Sequence, residues 1–260
     1  MIRVSDYVFK YLADYGIKHA FVIVGGGAMY LNDALRKETR IKSIFNHHEQ
    51  ASAIAAEGYY RASKKLAVVN ITTGPGGLNT LTGIMGQWTD SIPVIYISGQ
   101  VKFLTTVASC PEIKLRQLGD QEVDIINIVK PLTKYAVKIL DPYLIRSELE
   151  KAITIATTNR FGPVWIDIPL DIQNFLIDEN KLKSWDYSID TNLPFDKNFY
   201  EINSLLKKYK RPLIVAGHGI RLSNSQELFE QLINKLSIPV VTTFNGFDLI
   251  PSDHPYYIGR

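Results

Sequence analysis

Glycines and small polar residues are concentrated in one stretch of the sequence, Thr73-Gly74-Pro75-Gly76-Gly77-Leu78-Asn79. Glycines let a backbone approach a ligand closely, and a helix that starts beyond them offers free N–H groups. The stretch is not a Walker loop, because no Lys-Ser/Thr pair follows it. It is not a dinucleotide fingerprint either, because Asn79 stands where the third glycine belongs. It therefore predicts either a ligand contact or a plain tight turn between a strand and a helix.

An acidic residue, Glu49, follows two histidines in His47-His48-Glu49. Adjacent residues point apart on a helix or strand, whereas a metal site needs convergent ligands, so we predict no metal site here. Asn46 is a good N-cap and Glu49 lies three residues on, so a capping box would explain the glutamate without any chemistry.

The other polar candidates have simple explanations. Glu57 and Arg61 are four residues apart and fit a surface ion pair on a helix. Asp167 lies at the end of a strand and is ambiguous. The turn Gly217-His218-Gly219 is a weak nucleotide signal, and a simple turn is favoured. The single cysteine, Cys110, excludes an internal disulfide and a cysteine-built metal site, and we interpret it as an inert thiol.

Strands and helices alternate along the chain, which predicts an α/β fold with a doubly wound, mostly parallel sheet. Residues 101–124 are polar and irregular, as in a functional loop. Helices are predicted over residues 5–15, 28–35, 49–63, 199–209 and 226–236 and from residues 78 and 141, and strands over 19–24, 41–45, 66–71, 92–97, 164–168, 212–216 and 238–242. We predict a first domain over residues 1–178, a linker over 179–195, and the incomplete, Rossmann-like beginning of a second domain over 196–260, with only two strands.

The composition is that of an ordinary globular protein. Of 260 residues, 46% are hydrophobic and 21% charged, and the net charge is +3 without a basic cluster, so nucleic acid is not an expected partner. The N-terminus lacks the apolar core of a signal peptide, and no apolar run reaches the roughly 18 residues of a membrane span. We expect a cytoplasmic protein without a membrane partner.

Six motifs follow one another in an order that resembles a known family. The motifs are His48-Glu49-Gln50-Ala51, Ala55-Ala56-Glu57-Gly58-Tyr59-Tyr60-Arg61-Ala62, Thr73 to Asn79, Asp90-Ser91-Ile92-Pro93, Ser98-Gly99-Gln100-Val101 and Gly162-Pro163-Val164-Trp165-Ile166-Asp167-Ile168-Pro169. Together they resemble the pyrimidine-binding domain of the acetolactate synthase and pyruvate oxidase group of thiamine diphosphate (ThDP) enzymes. The resemblance is close over residues 1–175, and residues 199–260 resemble the start of the family's central domain.

The resemblance implies a catalytic role for Glu49. ThDP reacts through its thiazolium carbon, which loses a proton to the amino group of the pyrimidine ring once the far ring nitrogen is protonated. A buried carboxyl group suits that task, because desolvation raises a carboxyl pKa toward neutrality. The resemblance also places Val24, Gly25, Gly26, Thr73, Gly74, Pro75, Gly76 and Asn79 at the cofactor, and Gln100, Asp120 and Gln121 near the substrate.

The implied reaction is decarboxylation of a 2-oxo acid, expected to be pyruvate, and transfer of the two-carbon unit to an acceptor. A homodimer or homotetramer is implied, with FAD as a further cofactor to be tested. The family's Gly-Asp-Gly…Asn-Asn motif, which holds the diphosphate through Mg²⁺, belongs to a third domain and is absent here. This chain alone is therefore expected to be inactive. The alternatives are another ThDP reaction (simple decarboxylation, oxidation or C–C hydrolysis), or a non-catalytic fragment or half of a split enzyme.

Two positions depart from the family pattern. The turn before the second helix reads Ile23-Val24-Gly25-Gly26-Gly27 where acetolactate synthases usually have Gly-Tyr-Pro-Gly-Gly. In the long loop, Asp120 precedes Gln121-Glu122 where the family usually has phenylalanine. An acid in place of an aromatic ring leads to the hypothesis of a more polar acceptor, such as a sugar or keto-polyol.

Overall fold

The computed structural model describes residues 1–186 and 199–260 and divides the chain into two compact units. The first unit extends to residue 191 and the second begins at residue 192. None of the helices in the described ranges is long and apolar enough to cross a membrane.

A six-stranded parallel sheet forms the centre of the first unit. The helices are α1 (Val4–Tyr15), α2 (Met29–Lys37), α3 (Glu49–Ser63), α4 (Pro75–Leu78), α5 (Leu81–Asp90), α6 (Ile125–Val129), α7 (Ile145–Thr157) and α8 (Leu170–Gln173). The strands are β1 (Ile2–Arg3), β2 (His19–Val22), β3 (Lys42–Phe45), β4 (Val68–Ile71), β5 (Ile95–Gln100), β6 (Tyr135–Lys138), β7 (Val164–Pro169) and β8 (Leu176–Ile177). The sheet order is β3-β2-β4-β5-β7-β6, and β1 pairs antiparallel with β8. The predicted doubly wound α/β fold is confirmed.

Both faces of the sheet are buried, which explains its continuous apolar strands. Successive side chains of a strand point to opposite faces. Val68 and Ile95 accordingly join a core cluster that includes residues of α1, α2 and α7, while Val69 and Tyr96 join a second cluster with residues of α3, α5 and α6. The two clusters hold helices on both faces, as an all-parallel sheet requires.

Helices α3 and α5 are packed closely against each other. A Cβ atom on Gly83 of α5 would lie 2.5 Å from the Cβ of Ala53 on α3, so only glycine fits. The amide of Gln87 donates to the Ala53 carbonyl (2.8 Å) and its oxygen accepts from the Tyr96 hydroxyl (2.8 Å). Arg61 of α3 pairs with Glu57, as predicted, and also with Asp90 at the end of α5. These contacts fix the position of α3 relative to the sheet.

Several local elements differ from the prediction. The edge strand β6 and the short helix α6 were not predicted, because each is only four or five residues long. The helix predicted from residue 78 begins at Pro75 and is interrupted before α5. Asn46 is not the N-cap of α3. His48 takes that position, with its Nδ1 accepting from the Gln50 N–H (3.1 Å).

The predicted linker begins with residues that pack on the first unit. Leu182 is buried in the core cluster with α1 and α7. The backbone N–H of Trp185 donates to the Glu150 carboxylate (2.5 Å). Residues 187–195 of the predicted linker lie outside the described residues, and the proposed division at 178 and 196 stays a prediction.

The second unit contains a three-stranded parallel sheet in the order β11-β10-β9. Its elements are α9 (Phe199–Lys208), β9 (Ile214–Ala216), α10 (Gly219–Leu222), α11 (Gln226–Leu236), β10 (Val240–Thr242) and β11 (Tyr257–Gly259). The prediction of only two strands was wrong, because the sheet has a third strand, β11. That strand was missed because it is short and only partly buried. Its own small core includes Phe229, Ile233 and Val240.

Candidate active site

The candidate site lies at the carboxyl ends of the parallel strands. From β2 the chain passes to β3 on one side, and it then crosses to β4 on the other side of β2. Ligands of open α/β sheets bind outside the carboxyl ends of the strands at such a change of direction. The turns that follow β2 and β4 are the two glycine-rich turns of the sequence.

These two turns fit into each other without room for side chains. A Cβ on Gly25 would lie 2.5 Å from the Thr72 side chain, and a Cβ on Gly27 would lie 2.0 Å from Thr73 Oγ1. The Gly27 N–H donates to Thr72 Oγ1 (3.1 Å). Behind them, a Cβ on Gly99 would lie 2.0 Å from the Gly27 carbonyl oxygen. The glycines are therefore needed for close approach of three backbone segments.

Side-chain amides hold the turn after β2 in place. Asn32 of α2 donates to the Gly25 carbonyl (3.4 Å), and the side chain of Asn70 donates to the Asn32 oxygen (2.8 Å). On the other side, Gln173 donates to the Gly27 carbonyl (2.8 Å). Sequence reasoning missed these amides, since an isolated Asn or Gln gives no signal of its long-range partner.

Glu49 is the first residue of α3 and lies beside the turn after β4. Its Oε2 accepts from the Asn79 side-chain amide (2.9 Å). A Cβ on Gly76 would lie 3.3 Å from its Oε1 and 2.9 Å from Thr72 Cγ2, so the backbone at Gly76 stays bare beside the carboxylate. The side chain is half-buried in the single chain, so one chain provides only part of the burial that the resemblance implies.

The turn after β4 also meets the long loop over residues 101–124. Gly74 has φ 57° and is the N-cap of α4, in which Pro75 occupies the first position. A Cβ on Gly74 would lie 2.0 Å from the carbonyl oxygen of Gln121, which itself has φ 55°. Thr73 Oγ1 donates to the Gly99 carbonyl (3.0 Å). The loop, the turn and the end of β5 are thus in direct contact.

A single carboxylate, Glu122, organises the long loop. Its Oε1 accepts from the Val107 N–H (2.6 Å), and its Oε2 accepts from the N–H groups of Leu118 (3.2 Å) and Gly119 (2.8 Å). Hydrogen bonds to charged acceptors are stronger than neutral ones. Glu122 was not singled out from the sequence, because its role depends on how the loop folds.

Gln100 and Asp167 are buried together where β5 and β7 end. Asp167 Oδ1 accepts from Ser98 Oγ (2.6 Å), and its Oδ2 accepts from Gln100 Nε2 (3.4 Å). Trp165 Nε1 donates to Ser98 Oγ (2.8 Å). Desolvation raises the pKa of Asp167 to about 6, although the hydrogen bond from Ser98 and the charge of Lys138 oppose the rise. In the sequence, the aspartate within the otherwise apolar strand Val164–Pro169 was the feature that could have indicated this buried pair.

Family models match both units. Residues 2–128 match the N-terminal TPP binding domain of thiamine pyrophosphate enzymes, and residues 200–260 match the central domain of the same enzymes. The chain belongs to the thiamine pyrophosphate enzyme family. This confirms the resemblance drawn from the six motifs.

The relatives of this thiamine pyrophosphate enzyme chain are longer than the chain itself. The acetolactate synthase large subunit of Lactococcus lactis is 33% identical over 257 residues, which are 98% of this chain and 43% of that protein. Acetolactate synthase isozyme 2 large subunit of Escherichia coli is 30% identical over 258 residues, 98% of this chain and 44% of that protein. A solved structure of a candidate thiamin diphosphate-dependent enzyme from Mycobacterium smegmatis has the same fold, with a TM-score of 0.84 at 21% identity over 100% of this chain and 48% of that one. The chain spans less than half the length of these relatives.

The structure brings most of the predicted site of this thiamine pyrophosphate enzyme chain into one region. Glu49, Gly76 and Asn79 are in contact, and the turn of Gly25 is interlocked with that of Thr73. The remaining predicted residues differ in exposure: Val24, Asp120 and Gln121 are exposed, whereas Gln100 is buried. Among the described residues no group of three His, Cys, Asp or Glu side chains could hold a metal ion.

Proposed function

We propose that this chain supplies the pyrimidine-binding part of an enzyme that decarboxylates a 2-oxo acid, pyruvate by expectation, and transfers the two-carbon unit to an acceptor. The observation that carries the proposal is the contact of Glu49 with Asn79 beside the bare backbone of Gly76. A carboxyl group held at the edge of a glycine-lined turn is the arrangement that recognition of an aminopyrimidine requires.

The residues present fit this part of ThDP. Asn79 engages Oε2 of Glu49, while Oε1 lies on the side of Gly76, where a side chain would crowd it. Thr73, Gly74, Pro75 and Gly76 would line the pyrimidine ring, and Val24, Gly25 and Gly26 would approach the reacting centre. The interlocked glycines exclude side chains from the space that a flat ring would need.

The chain's own residues would act by position and by proton transfer. Bound ThDP would supply the thiazolium carbon that adds to the carbonyl group of the 2-oxo acid. Glu49 would hold a proton at the pyrimidine nitrogen, and Asn79 would orient the Glu49 carboxyl group. The amides of Asn32 and Gln173 would keep the turn of Gly25 in place, because both donate to its carbonyl groups.

The substrate side of the proposed site is formed by the long loop. Asp120 and Gln121 are exposed near the turn of Gly74, where an acceptor would enter. An acid at this position favours an acceptor with hydroxyl groups over an apolar one. Gln100 would lie behind them, at the start of the loop.

Further features of the proposed enzyme rest on the family. Mg²⁺ would bind with the diphosphate on a third domain, for which the greater length of the relatives leaves room, and FAD remains a cofactor to be tested on the central domain. The protein would work in the cytoplasm as a homodimer or homotetramer. Helices α3 and α5 leave Ile54, Met85 and Trp88 exposed, which suits contact with a second copy.

Glu49→Gln provides the decisive test. The variant should be made in a chimera in which this chain replaces the matching part of the Lactococcus lactis relative, loaded with ThDP and Mg²⁺. Glutamine keeps an oxygen for Asn79 but cannot share a proton with the ring. Deuterium exchange at the thiazolium carbon, followed by NMR, should slow by about 10²–10⁴-fold, as expected for a lost acid–base group.

Glu57→Gln is the matched control, because it changes another glutamate of α3 that is occupied with Arg61. Its exchange rate should equal that of the parent chimera. An unchanged rate in Glu49→Gln would remove Glu49 from the mechanism. Product analysis with pyruvate separates the reactions: free acetaldehyde without a coupled product would contradict two-carbon transfer.

A further inference from the structure

The long loop over residues 101–124 is closed at its neck by the side chain of Gln100. Gln100 is only 1% exposed, and its carboxamide is engaged on both sides. Its Oε1 accepts from the N–H of Val101 at the start of the loop (3.0 Å), and its Nε2 donates to the carbonyl of Val123 near the end (3.1 Å). One side chain therefore joins the two ends of a loop of 24 residues.

Asp167 holds this carboxamide from behind. Gln100 Nε2 also donates to Asp167 Oδ2 (3.4 Å), while the other carboxylate oxygen accepts from Ser98 Oγ (2.6 Å). Ser98 in turn accepts from Trp165, whose ring is stacked on Tyr96 at 5.1 Å. Since Asp167 is fully buried, its orientation is determined by the core of the sheet.

We propose that Asp167 is a positioning residue that holds Gln100 as a clasp across the neck of the long loop. The role of Gln100 is then to place the loop, because its oxygen accepts from Val101 and its nitrogen donates to Val123 and Asp167. The effect of the clasp on substrate binding rests on the proposed function. The clasp itself is a property of the chain without cofactor.

The clasp matters because Gln121, two residues before Val123 at the neck, meets the proposed cofactor turn. The Gln121 carbonyl oxygen lies where a Cβ of Gly74 would be, so any shift of the loop's neck changes the contact with that turn. Glu122 is a second fastener with different partners, because its side chain joins Val107, Leu118 and Gly119, whereas that of Gln100 joins Val101 and Val123. The two fasteners can be tested independently.

Hydrogen exchange of single backbone amides, measured by NMR on the 260-residue chain without cofactor, tests the clasp. Asp167→Ala removes the acceptor behind Gln100. The Val101 N–H should then exchange at least about tenfold faster, whereas the N–H groups of Val107 and Gly119 should be unchanged. Glu122→Gln should give the converse pattern. Asp141→Ala is the control, because it removes an aspartate carboxyl group on the surface that has no part in the clasp.

The comparison separates a clasp from general damage to the fold. Faster exchange of Val101 in parallel with Ile97 in the middle of β5, or an equal effect of Asp141→Ala, would overturn the proposal. If Asp167→Ala does not fold, Gln100→Met removes the clasp from its other end, and the same pattern is expected. No change at Val101 in that variant would also overturn it.

Kinetics in the chimera tests the positioning role for the substrate side. Asp167→Ala should raise KM for the 2-oxo acid about tenfold. A fall in kcat at constant KM would contradict positioning. Should the chimera fail to bind ThDP at all, the proposed function fails, while the exchange pattern at Val101 still decides whether the clasp exists.

Discussion

Asp167 and Glu49 are two acidic residues near the carboxyl edge of one sheet with different surroundings. Asp167 is fully buried between β5 and β6 and receives hydrogen bonds from Ser98 and Gln100. Glu49 stands at the start of a helix, half-buried and open to a partner. Desolvation favours the neutral form of a carboxyl group and raises the pKa of Asp167.

The stability of the first unit should fall as pH rises through the titration of Asp167. Its pKa is raised by burial from 3.8 to about 6, with Lys138 lowering and Asp124 raising it. The folded state therefore holds the proton more tightly than the unfolded state. The resulting stability is fully present below pH 3.8 and is lost as pH rises to about 6. Relative to Asp167→Asn, the free energy of unfolding should decrease by about 2 kcal/mol between pH 4 and pH 7.

Denaturant unfolding followed by tryptophan fluorescence measures this difference. Trp88, Trp165 and Trp185 all lie in the first unit, so the signal reports on that unit. Asp141→Asn is a suitable control, because that carboxyl group lies on the surface. A difference between wild type and Asp167→Asn that is independent of pH would show that Asp167 has the same pKa in both states.

At the scale of elements, the packing of α3 on α5 positions Glu49. Gly83→Val should destabilise the first unit by about 1–3 kcal/mol, because the new side chain would overlap Ala53. Gly58→Ala, on the exposed side of α3 with open space around it, should stabilise the unit by about 0.4–1 kcal/mol. Thermal unfolding measures the stability of both variants. Equal changes in stability would contradict the close contact of the two helices.

The sequence predicted those elements whose pattern is local. The residues of α3 were predicted over 49–63 as observed, and Gly16 ends α1 with φ 108°. The edge strand β6 was missed because it is short and only half-buried, so its pattern lacks the apolar run of β5 or β7. The N-cap of α3 is His48 instead of Asn46, although asparagine is the better capping residue. The helix start therefore follows from the course of the preceding turn.

The residues of the candidate site could be predicted from the sequence, but the contacts between them could not. The order of motifs indicated the family and gave Glu49 and the glycine turns their expected roles, which stay predictions. The contacts between Asp167 and Gln100, and between Gln121 and Gly74, join residues 67 and 47 positions apart. Pairings of this kind follow from strand order, which the periodicity of the residues does not contain.

At the scale of the whole molecule, ThDP binding should require more than this chain. The chain spans 43% of its Lactococcus lactis relative, and the resemblance implies that the diphosphate and Mg²⁺ are held by a third domain. Calorimetry with ThDP and Mg²⁺ should give an affinity at least about a hundredfold weaker for the chain than for the chimera, or about 2.7 kcal/mol. Equal affinities would show that the chain carries a complete cofactor site. Activity restored by a separately supplied C-terminal part would instead support a split enzyme.

The strand order of the first unit has a consequence for its synthesis. The glycine turns and Glu49 leave the ribosome early, but β7, which lies between β5 and β6, is made only at residues 164–169. Until then β5 has an unpaired edge, and β6 lacks its neighbour in the sheet. Parallel pairings between distant segments form slowly and leave such edges open to aggregation. Nascent chains stalled before residue 164 should therefore engage chaperones, whereas chains released beyond it should become protease-resistant.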